Sequence, residues 1–367
     1  MAMARSLRRT NPITLILAAV LAIGFFLFIV SPTSSTSNER RNYAAQNPLS
    51  PASKPFRKDQ NGHPIPPVVR YPMNNKTGTA NPVENREHVL ILTPLVRFYP
   101  GYWENLSKFT YPHQLLSLGF IIPKNREGNA ATSALQAAIK KTQSGPEEGR
   151  FASITILRQD FDPPLVSQDE KERHKLENQK VRREAMSRAR NSLLFTTLGP
   201  SSAWVLWLDA DIVETPPTLI QDLAKHDKAV IVPNCYQRYH NPDTKQMDIR
   251  PYDYNSWVDT TRSLEIAAQL GPDEIMLEGY GEKPTYRSLM AHLADRSPSA
   301  NVNQLMELDG VGGTALLVKA DVHRDGAMFP AFPFYHMVET EGFAKMARRL
   351  GWKCFGLPNY FVYHYNE

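Results

Sequence analysis

Two aspartates one residue apart follow an uncharged, strongly apolar run. The run occupies residues 204–208, and Asp209-Ala210-Asp211 comes directly after it. A short apolar run of this kind is typical of a buried strand, so both carboxylates are expected at a strand end. Carboxylates are hard oxygen ligands for Mn²⁺ or Mg²⁺, and these ions bridge phosphate oxygens. The spacing therefore predicts a metal-assisted site for a phosphate-bearing ligand.

The aspartate pair allows other interpretations. A second run of this type, Asp160-Phe161-Asp162, also follows a predicted strand. The first pair could be a solvated turn ahead of a helix that Pro216-Pro217 opens. Residues 209–213 also fit the opening of haloacid-dehalogenase-type phosphatases, in which Asp209 would be the nucleophile. That fold starts near its motif, whereas four or five predicted elements precede the motif here.

Strands and helices alternate around these residues. The predicted strands are 88–94, 151–157, 203–208, 228–233, 313–319 and 361–365, and the predicted helices are 129–142 (capped by Asn129), 167–198, 216–226 and 339–350. This alternation favours an α/β fold with a mostly parallel sheet. Ligands of such sheets bind beyond the carboxyl ends of the strands.

Composition excludes several classes of protein. The chain has 367 residues, 42% of them hydrophobic, and two cysteines, which excludes a disulfide-stapled scaffold and a wholly disordered chain. The net charge of +5 is unevenly placed, because residues 1–82 hold 10 Lys/Arg against 2 Asp/Glu and the remainder holds 32 against 35. The main body is therefore mildly acidic, and we expect no nucleic acid as partner.

The first 82 residues resemble an anchor and a stem. Residues 13–30 carry no charge and follow three arginines, which predicts a cytosolic tail (1–12), a signal anchor (13–30) and a lumenal remainder. A cleaved signal peptide and a buried core helix are the alternatives. Residues 31–82 contain 9 prolines, which predicts an extended stem ahead of one catalytic body at 83–367. Sequons at Asn75 and Asn105 permit a lumenal location, and Cys235 and Cys354 could be paired or free.

A family resemblance covers residues 85–367. It is carried by the strings LILTPL (90–95), MSRARN (186–191), WLDADIVET (207–215), RPYDYNSW (250–257), DGVGGT (309–314), VETEG (338–342) and YFVYH (360–364). Together they resemble the fungal Golgi mannan polymerase family of α-1,6-mannosyltransferases. The resemblance implies a GT-A glycosyltransferase fold, GDP-mannose as donor, Mn²⁺ (or Mg²⁺), a mannose acceptor on N-glycans of mannoproteins, the cis-Golgi as location and assembly with homologous subunits.

The same resemblance assigns roles to single residues. His364 joins Asp209 and Asp211 as a metal ligand, although on sequence alone a single C-terminal histidine is more often structural. The expected contacts of GDP-mannose are Thr93, Pro94, Leu95, Arg97, Asp160, Arg190, Asn191, Asp309, Gly312 and Gly313. The expected catalytic residues are Asp209, Asp211, Asp253, Glu339 and Glu341. Two further arginines, Arg182 and Arg183, are expected on a solvated helix face.

The expected stereochemistry constrains the mechanism. GDP-mannose is α-linked and so is the implied product, so the transfer retains configuration. We favour entry of the acceptor on the face of the leaving group, because no carboxylate nucleophile can be placed from the sequence. The alternative outside enzymes is a scaffold subunit that binds nucleotide weakly and supports an active partner.

Overall fold

The computed structural model describes residues 57–58, 64–65, 69–161 and 176–366. The predicted tail and anchor, most of the stem, and residues 162–175 lie outside this part of the chain. No helix within these ranges has the length and apolarity that a bilayer crossing requires. The chain divides into two compact units, residues 1–68 and 69–367. In the first, strands β1 (Arg57–Lys58) and β2 (Pro64–Ile65) pair antiparallel.

The second unit contains the remaining elements. Its strands are β3 (His88–Pro94), β4 (Leu116–Ile122), β5 (Ser153–Arg158), β6 (Ser202–Leu208), β7 (Ile212–Glu214), β8 (Val230–His240), β9 (Met247–Pro251), β10 (Trp257–Val258), β11 (Ser288–Leu289), β12 (Met306–Leu308), β13 (Ala315–Lys319) and β14 (Cys354–His364). Its helices are α1 (Pro100–Ser107), α2 (Arg126–Gln143), α3 (Leu176–Thr197), α4 (Leu219–Ala224), α5 (Thr261–Ala267), α6 (Ala320–Arg324) and α7 (Glu339–Arg349).

One ten-stranded sheet organises the described part of this unit. Its order is β12-β14-β8-β13-β6-β3-β4-β5, with β7 paired to β14 and β9 paired to β8. Strands β3 to β6 pair parallel, β13 runs antiparallel to both β6 and β8, and β14 is parallel to β8. Six of these ten strands therefore share one direction. The predicted α/β class is confirmed, and β3 occupies the residues of the first predicted strand.

The central strands are apolar on both faces, which explains their place in the sheet. Along β6, Trp204, Leu206 and Leu208 face one core, whereas Val205 and Trp207 face the other. Helices α1, α2 and α4 cover the first face, and α3 and α7 cover the second. Burial on both faces is what a near-continuous apolar strand predicts.

Several element boundaries differ from the predictions. Helix α2 is capped by Asn125, whose Oδ1 accepts from Gly128 N at 2.8 Å, so Asn129 lies within the helix. Strands β8 and β14 are each 11 residues long and extend beyond the predicted runs. Strand β4 has no predicted counterpart, because Ser117 and Gly119 interrupt its apolar pattern. The two cysteines are free buried thiols; in the register, Cys235 faces Val362 and Cys354 faces Val230.

The compact unit begins upstream of the predicted body. Residues 78–87 pack onto the sheet, where Gly78 lies against the ring of Trp204 and Glu87 hydrogen-bonds to the same side chain. Its Oε2 accepts from Trp204 Nε1 at 2.8 Å and from Thr79 N at 3.0 Å. Trp204 is fully buried, so this carboxylate supplies the hydrogen bond that a buried indole N–H requires. The stretch that composition assigned to the end of the stem is therefore part of the folded unit.

Replacing Glu87 tests this attachment. We expect Glu87→Ala to lower the free energy of unfolding by about 1–3 kcal/mol, because it leaves the Trp204 indole N–H buried without an acceptor. Urea unfolding followed by tryptophan fluorescence measures the change. The control is Glu84→Ala at an exposed position of the same segment, and equal midpoints for the two variants would contradict the expectation.

Candidate functional site

The run Asp209-Ala210-Asp211 lies where the ends of four strands meet. Asp209 follows β6, and its N–H donates to Thr314 O, just before β13, at 3.0 Å. Asp211 precedes β7, and its carbonyl accepts from Tyr365 N, just after β14, at 2.7 Å. The pairing of Ile212 with His364 brings the end of β14 to the aspartates. The carboxyl ends of β6 and β14 thus form the site that the sheet topology predicts.

A cleft of about 450 Å³ opens beside these strand ends. Helix α3, the segment 252–255, the loop 278–280 and the start of α7 form its walls. The side chains and backbone that line it belong to Gln179, Arg182, Arg183, Met186, Arg190, Asp209, Asp211, Tyr252, Asp253, Tyr254, Asn255, Glu278, Gly279, Tyr280, Gly313, Thr314, Glu339, Thr340 and His364.

Arg190 on α3 is the central cation of the cleft. Its Nη2 donates to Asp209 Oδ1 at 2.9 Å and its Nε to Glu339 Oε1 at 3.1 Å. The guanidinium is 3% exposed and lies beside the contacting rings of Trp207 and Phe329, 5.4 and 5.6 Å from their centroids. Its Nη1 is buried and makes no hydrogen bond within the described residues. Arg190 therefore binds two carboxylates and has one further N–H group, at Nη1, that could donate a hydrogen bond to a ligand oxygen.

The carboxylates around Arg190 are crowded. Burial raises the pKa of Asp209 to about 6, with Asp211 and Glu339 adding to the rise and Arg190 opposing it. Glu339 begins α7 with a φ of 54°, an unusual backbone conformation for a residue that carries a side chain. Strain of this kind concentrates at functional sites. One guanidinium thus contacts two carboxylates, a third carboxylate lies nearby on Asp211, and this end of the cleft favours a cation.

Asp211 and His364 form a separate pair. Asp211 Oδ2 lies 3.0 Å from His364 Nε2, and His364 Nδ1 donates to Tyr365 O at 2.6 Å. An imidazole whose second nitrogen is held by a carbonyl is the usual arrangement of a metal-binding histidine. The donor set suits a divalent cation, although within the described ranges no three His, Cys, Asp or Glu side chains gather into a metal-binding group. Asp209, the third expected ligand, faces Arg190 instead.

Asp253 is buried in the cleft wall by close backbone approach. Its Oδ1 accepts from Asn255 N at 2.9 Å and its Oδ2 from Thr314 Oγ1 at 3.2 Å. Burial raises its pKa, and the hydrogen bonds with Asn255 and Thr314 oppose the rise. A Cβ on Gly312 would overlap the Asp253 carboxylate. Only glycine at this position therefore leaves room for that carboxylate. Gly313 lines the cleft next to Arg190.

Glu341 and Arg183 correct two expectations. Glu341 was expected to face an acceptor, but its side chain is fully buried and lies outside the cleft lining. Its Oε2 pairs with Arg183 Nη1 at 2.8 Å and its Oε1 accepts from Trp257 Nε1 at 2.8 Å. Arg183 is 10% exposed, so the prediction of a solvated face is wrong for it. The pair supports the cleft wall from behind, since Arg183 Nη2 also donates to Asn255.

The residues at the carboxyl end of β3 do not line the cleft. Thr93, Pro94 and Leu95 are buried, and Thr93 Oγ1 donates to Leu208 O at 2.7 Å. These side chains are packed in the core, because β3 is central in the sheet, and their contact with a nucleotide base stays a prediction. Arg97 is exposed in the loop that follows.

Besides Gly312, three other expected ligand contacts lie outside the cleft lining. Asp160 is exposed and accepts from Lys124 N at 2.6 Å. The amide of Asn191 hydrogen-bonds both backbone groups of Phe329, at 2.6 and 2.9 Å. Asp309 pairs with Arg348 at 2.8 Å. Asn191 and Asp309 therefore have structural partners instead of free ligand-binding groups.

Sequence reasoning missed several residues of the cleft. The unexpected ones include Tyr252, Tyr254, Tyr280, Thr314 and the N-terminal part of α3. One signal was present in the sequence, since Arg183 precedes Arg190 by seven residues and two helical turns place both on one face. Tyr280 had no such signal, because the long loop that carries it has no periodicity.

Gly312 provides a test of the close approach to Asp253. We expect Gly312→Ala to lower the free energy of unfolding by about 1–3 kcal/mol, because the added methyl group must displace a buried carboxylate. The matched control is Gly281→Ala, where a Cβ meets nothing within 4 Å. Thermal unfolding of both variants measures the effect, and an unchanged midpoint for Gly312→Ala would refute the expectation.

The ion pair behind the cleft gives a second test. Arg183→Met should lower the free energy of unfolding by about 3–5 kcal/mol, because it leaves the Glu341 carboxylate buried with one partner fewer. The comparison is Arg262→Met, which breaks an exposed pair with Glu265 and should change stability by less than about 1 kcal/mol. Chemical denaturation measures the free energy of unfolding of both variants. Equal decreases would show that the buried pair stabilises the fold no more than the exposed pair does.

Known proteins resemble this chain over most of its length. A family model described as Anp1 matches residues 67–333. Mannan polymerase complex subunit MNN9 of Candida albicans is 50% identical over 367 residues, covering 98% of this chain and 97% of that protein. Its Schizosaccharomyces pombe counterpart, mnn9, is 54% identical over 299 residues, covering 81% and 86%.

More distant proteins show weaker likeness. The mannan polymerase II complex ANP1 subunit of Saccharomyces cerevisiae is 33% identical over 360 residues, covering 97% of this chain and 69% of that protein. Among solved structures, a Pyrobaculum calidifontis mannosyltransferase in complex with GDP-Man and Mn²⁺ is 11% identical, with a TM-score of 0.40 and coverage of 81% and 60%. This structural likeness is too distant to bear on the site. The family match and the close relatives establish that the chain belongs to the Anp1 family.

Proposed function

We propose that this chain is a metal-dependent mannosyltransferase of the GT-A type. It would transfer mannose from GDP-mannose to α-1,6-linked mannan on the N-glycans of mannoproteins. Membership of the Anp1 family and the names of the relatives, which are mannan polymerase complex subunits, support this proposal. The same membership gives no support to the phosphatase alternative, which we do not carry forward.

The observation that carries the proposal is the acidic strand end. Asp209, Asp211 and Glu339 outnumber the single guanidinium of Arg190 there, and His364 adds an imidazole 3.0 Å from Asp211. Asp211 and His364 would hold the metal, with Mn²⁺ preferred and Mg²⁺ close in chemistry. A bound divalent cation would stabilise the negative charge that develops on the departing diphosphate. Asp209, held by Arg190, would accept hydrogen bonds from hydroxyl groups of GDP-mannose.

The remaining steps belong to protein groups and substrates. The buried Nη1 of Arg190 is a donor suited to an oxygen of the donor substrate. The acceptor hydroxyl oxygen would bond to the anomeric carbon on the face from which GDP leaves. The bond between that carbon and the diphosphate oxygen breaks, and the hydroxyl proton passes to the leaving phosphate. This front-face route retains the α configuration and needs no carboxylate nucleophile.

The cellular setting is part of the proposal. Residues 1–12 would be cytosolic, 13–30 a single-pass type II anchor, and 31–82 mainly stem, with the catalytic unit in the lumen of the cis-Golgi. The chain would act with homologous subunits in a mannan polymerase complex. The names of the relatives as complex subunits equally allow a catalytically weak scaffold, which is the second candidate.

Nucleotide binding tests donor and metal together. We expect GDP to raise the melting temperature of the full-length chain only when Mn²⁺ is present, and UDP and CMP to have little effect. Asp211→Asn should abolish the shift and lower transfer about 100-fold, because it removes a ligand of the metal. Asp243→Asn, at an exposed turn, should behave like the wild type.

Transfer assays separate the two candidates. Wild-type chain, GDP-mannose, Mn²⁺ and mannobiose should give an α-linked trisaccharide, identified by NMR of the new linkage. A β-linked product would rule out retention. Transfer that appears only after a second subunit is added, and that survives Asp211→Asn, would favour the scaffold.

A further inference from the structure

The cleft follows one face of α3. Gln179, Arg183, Met186 and Arg190 all line it. Their spacing of four, three and four residues places them in one row along the helix. Arg183 and Arg190 are two turns apart, which is about 10 Å along the axis at 1.5 Å per residue. The cleft is therefore long enough to have two distinct ends.

The segment 252–255 connects these ends. The ring of Tyr252 stacks on His364, with 3.6 Å between their centroids. Three residues later, Asn255 Oδ1 accepts from Arg183 Nη2 at 2.9 Å. We call the part of the cleft beside His364 the aspartate end and the part beside Arg183 the tyrosine end.

Two tyrosine rings define the tyrosine end. Tyr254 and Tyr280 are both half-buried and line the cleft. Gly279, which precedes Tyr280 in the chain, lies close to Tyr254, since a Cβ built on it would be 3.9 Å from Tyr254 Cδ2. Burial raises the pKa of Tyr280, and the positive charges of Arg183 and Arg182, which line the same cleft, oppose the rise. The end thus offers aromatic faces with polar groups at their edges.

The loop that carries Tyr280 is anchored firmly. Glu278 Oε1 accepts from Arg287 Nη1 at 2.9 Å, and its Oε2 accepts from Thr285 Oγ1 at 2.6 Å. Met276 and Leu277, just before it, are 5% and 4% exposed. The tyrosine is therefore presented by a fixed loop, and binding would cost little ordering of the protein.

The charges behind the tyrosine end are balanced. Arg183 is paired with Glu341 at 2.8 Å, and Arg287 is paired with Glu278 at 2.9 Å and with Asp259 at 3.2 Å. The aspartate end has excess negative charge, whereas at this end Arg183 is paired and two half-buried tyrosines line the cleft. Flat apolar faces edged by hydrogen-bonding groups suit a neutral ligand that carries C–H faces and hydroxyls.

We propose that the tyrosine end binds the acceptor, a neutral mannose oligosaccharide, and that the Tyr280 ring packs against a face of the acceptor sugar. The proposal rests on the proposed function, because it takes the aspartate end as the donor site. The sugar of the donor would then lie between the two ends, beside Asp253. In this arrangement Tyr280 contributes to the affinity for the mannose acceptor, and residues of the aspartate end determine the affinity for GDP-mannose.

The test separates acceptor from donor. Initial rates of the full-length wild type, Tyr280→Ala and Tyr280→Phe are measured with varied α-1,6-mannobiose, and GDP affinity with Mn²⁺ is measured by calorimetry. We expect the KM for mannobiose to rise about 10-fold in Tyr280→Ala, which loses the ring, and about 3-fold in Tyr280→Phe, which loses one hydrogen bond. The Kd for GDP should stay unchanged in both variants. The control Tyr71→Ala, at an exposed tyrosine outside the cleft, should leave both constants unchanged.

Other outcomes overturn the proposal. A weaker Kd for GDP in Tyr280→Ala, with an unchanged KM for mannobiose, would assign the ring to the nucleotide. Where transfer needs a second subunit, saturation-transfer NMR of mannobiose on the GDP-loaded chain replaces the rates, and equal signals for wild type and Tyr280→Ala, or none for either, refute the site. A wild type that does not bind GDP at all would contradict the proposed function, whereas loss of mannobiose binding in Tyr280→Ala alone would still support the acceptor site.

Discussion

The buried guanidinium of Arg190 is the interaction on which the site depends. An uncompensated cluster of carboxylates at the end of a buried strand would be costly, because burial penalises each charge. Arg190 offsets this by pairing with Asp209 and Glu339, and it lies beside the rings of Trp207 and Phe329. Since Asp209 follows β6 and Glu339 begins α7, one side chain of α3 holds together elements from distant parts of the chain.

A second ion pair, behind the cleft, supports the residues around Arg190. Behind the cleft, Glu341 pairs with Arg183, and Arg183 reaches Asn255, which in turn holds Asp253. Buried pairs of this kind stabilise a fold less than they define one geometry, because desolvation cancels much of their attraction. Their use here is to hold the cleft wall, so that substrates meet groups already in place.

The sequence predicted the fold best where its pattern was uninterrupted. The runs that became β3 and β6 are almost entirely apolar, and their boundaries were predicted within one residue. Strand β4 was missed, because Ser117 and Gly119 break its pattern, and the cap of α2 was displaced, because Asn125 and Asn129 are equally good caps in isolation. Only packing against the sheet distinguishes such alternatives.

The candidate site divides in the same way. Residue types and spacing alone predicted carboxylates at a strand end, and the family strings added His364. The tertiary structure decided that Asp211 faces His364, since this contact needs β7 to pair with β14. It also decided that Glu341 is a buried partner of Arg183 and that Tyr280 lines the cleft. A sequence pattern records local preferences, whereas these positions follow from long-range pairing and from the burial that it imposes.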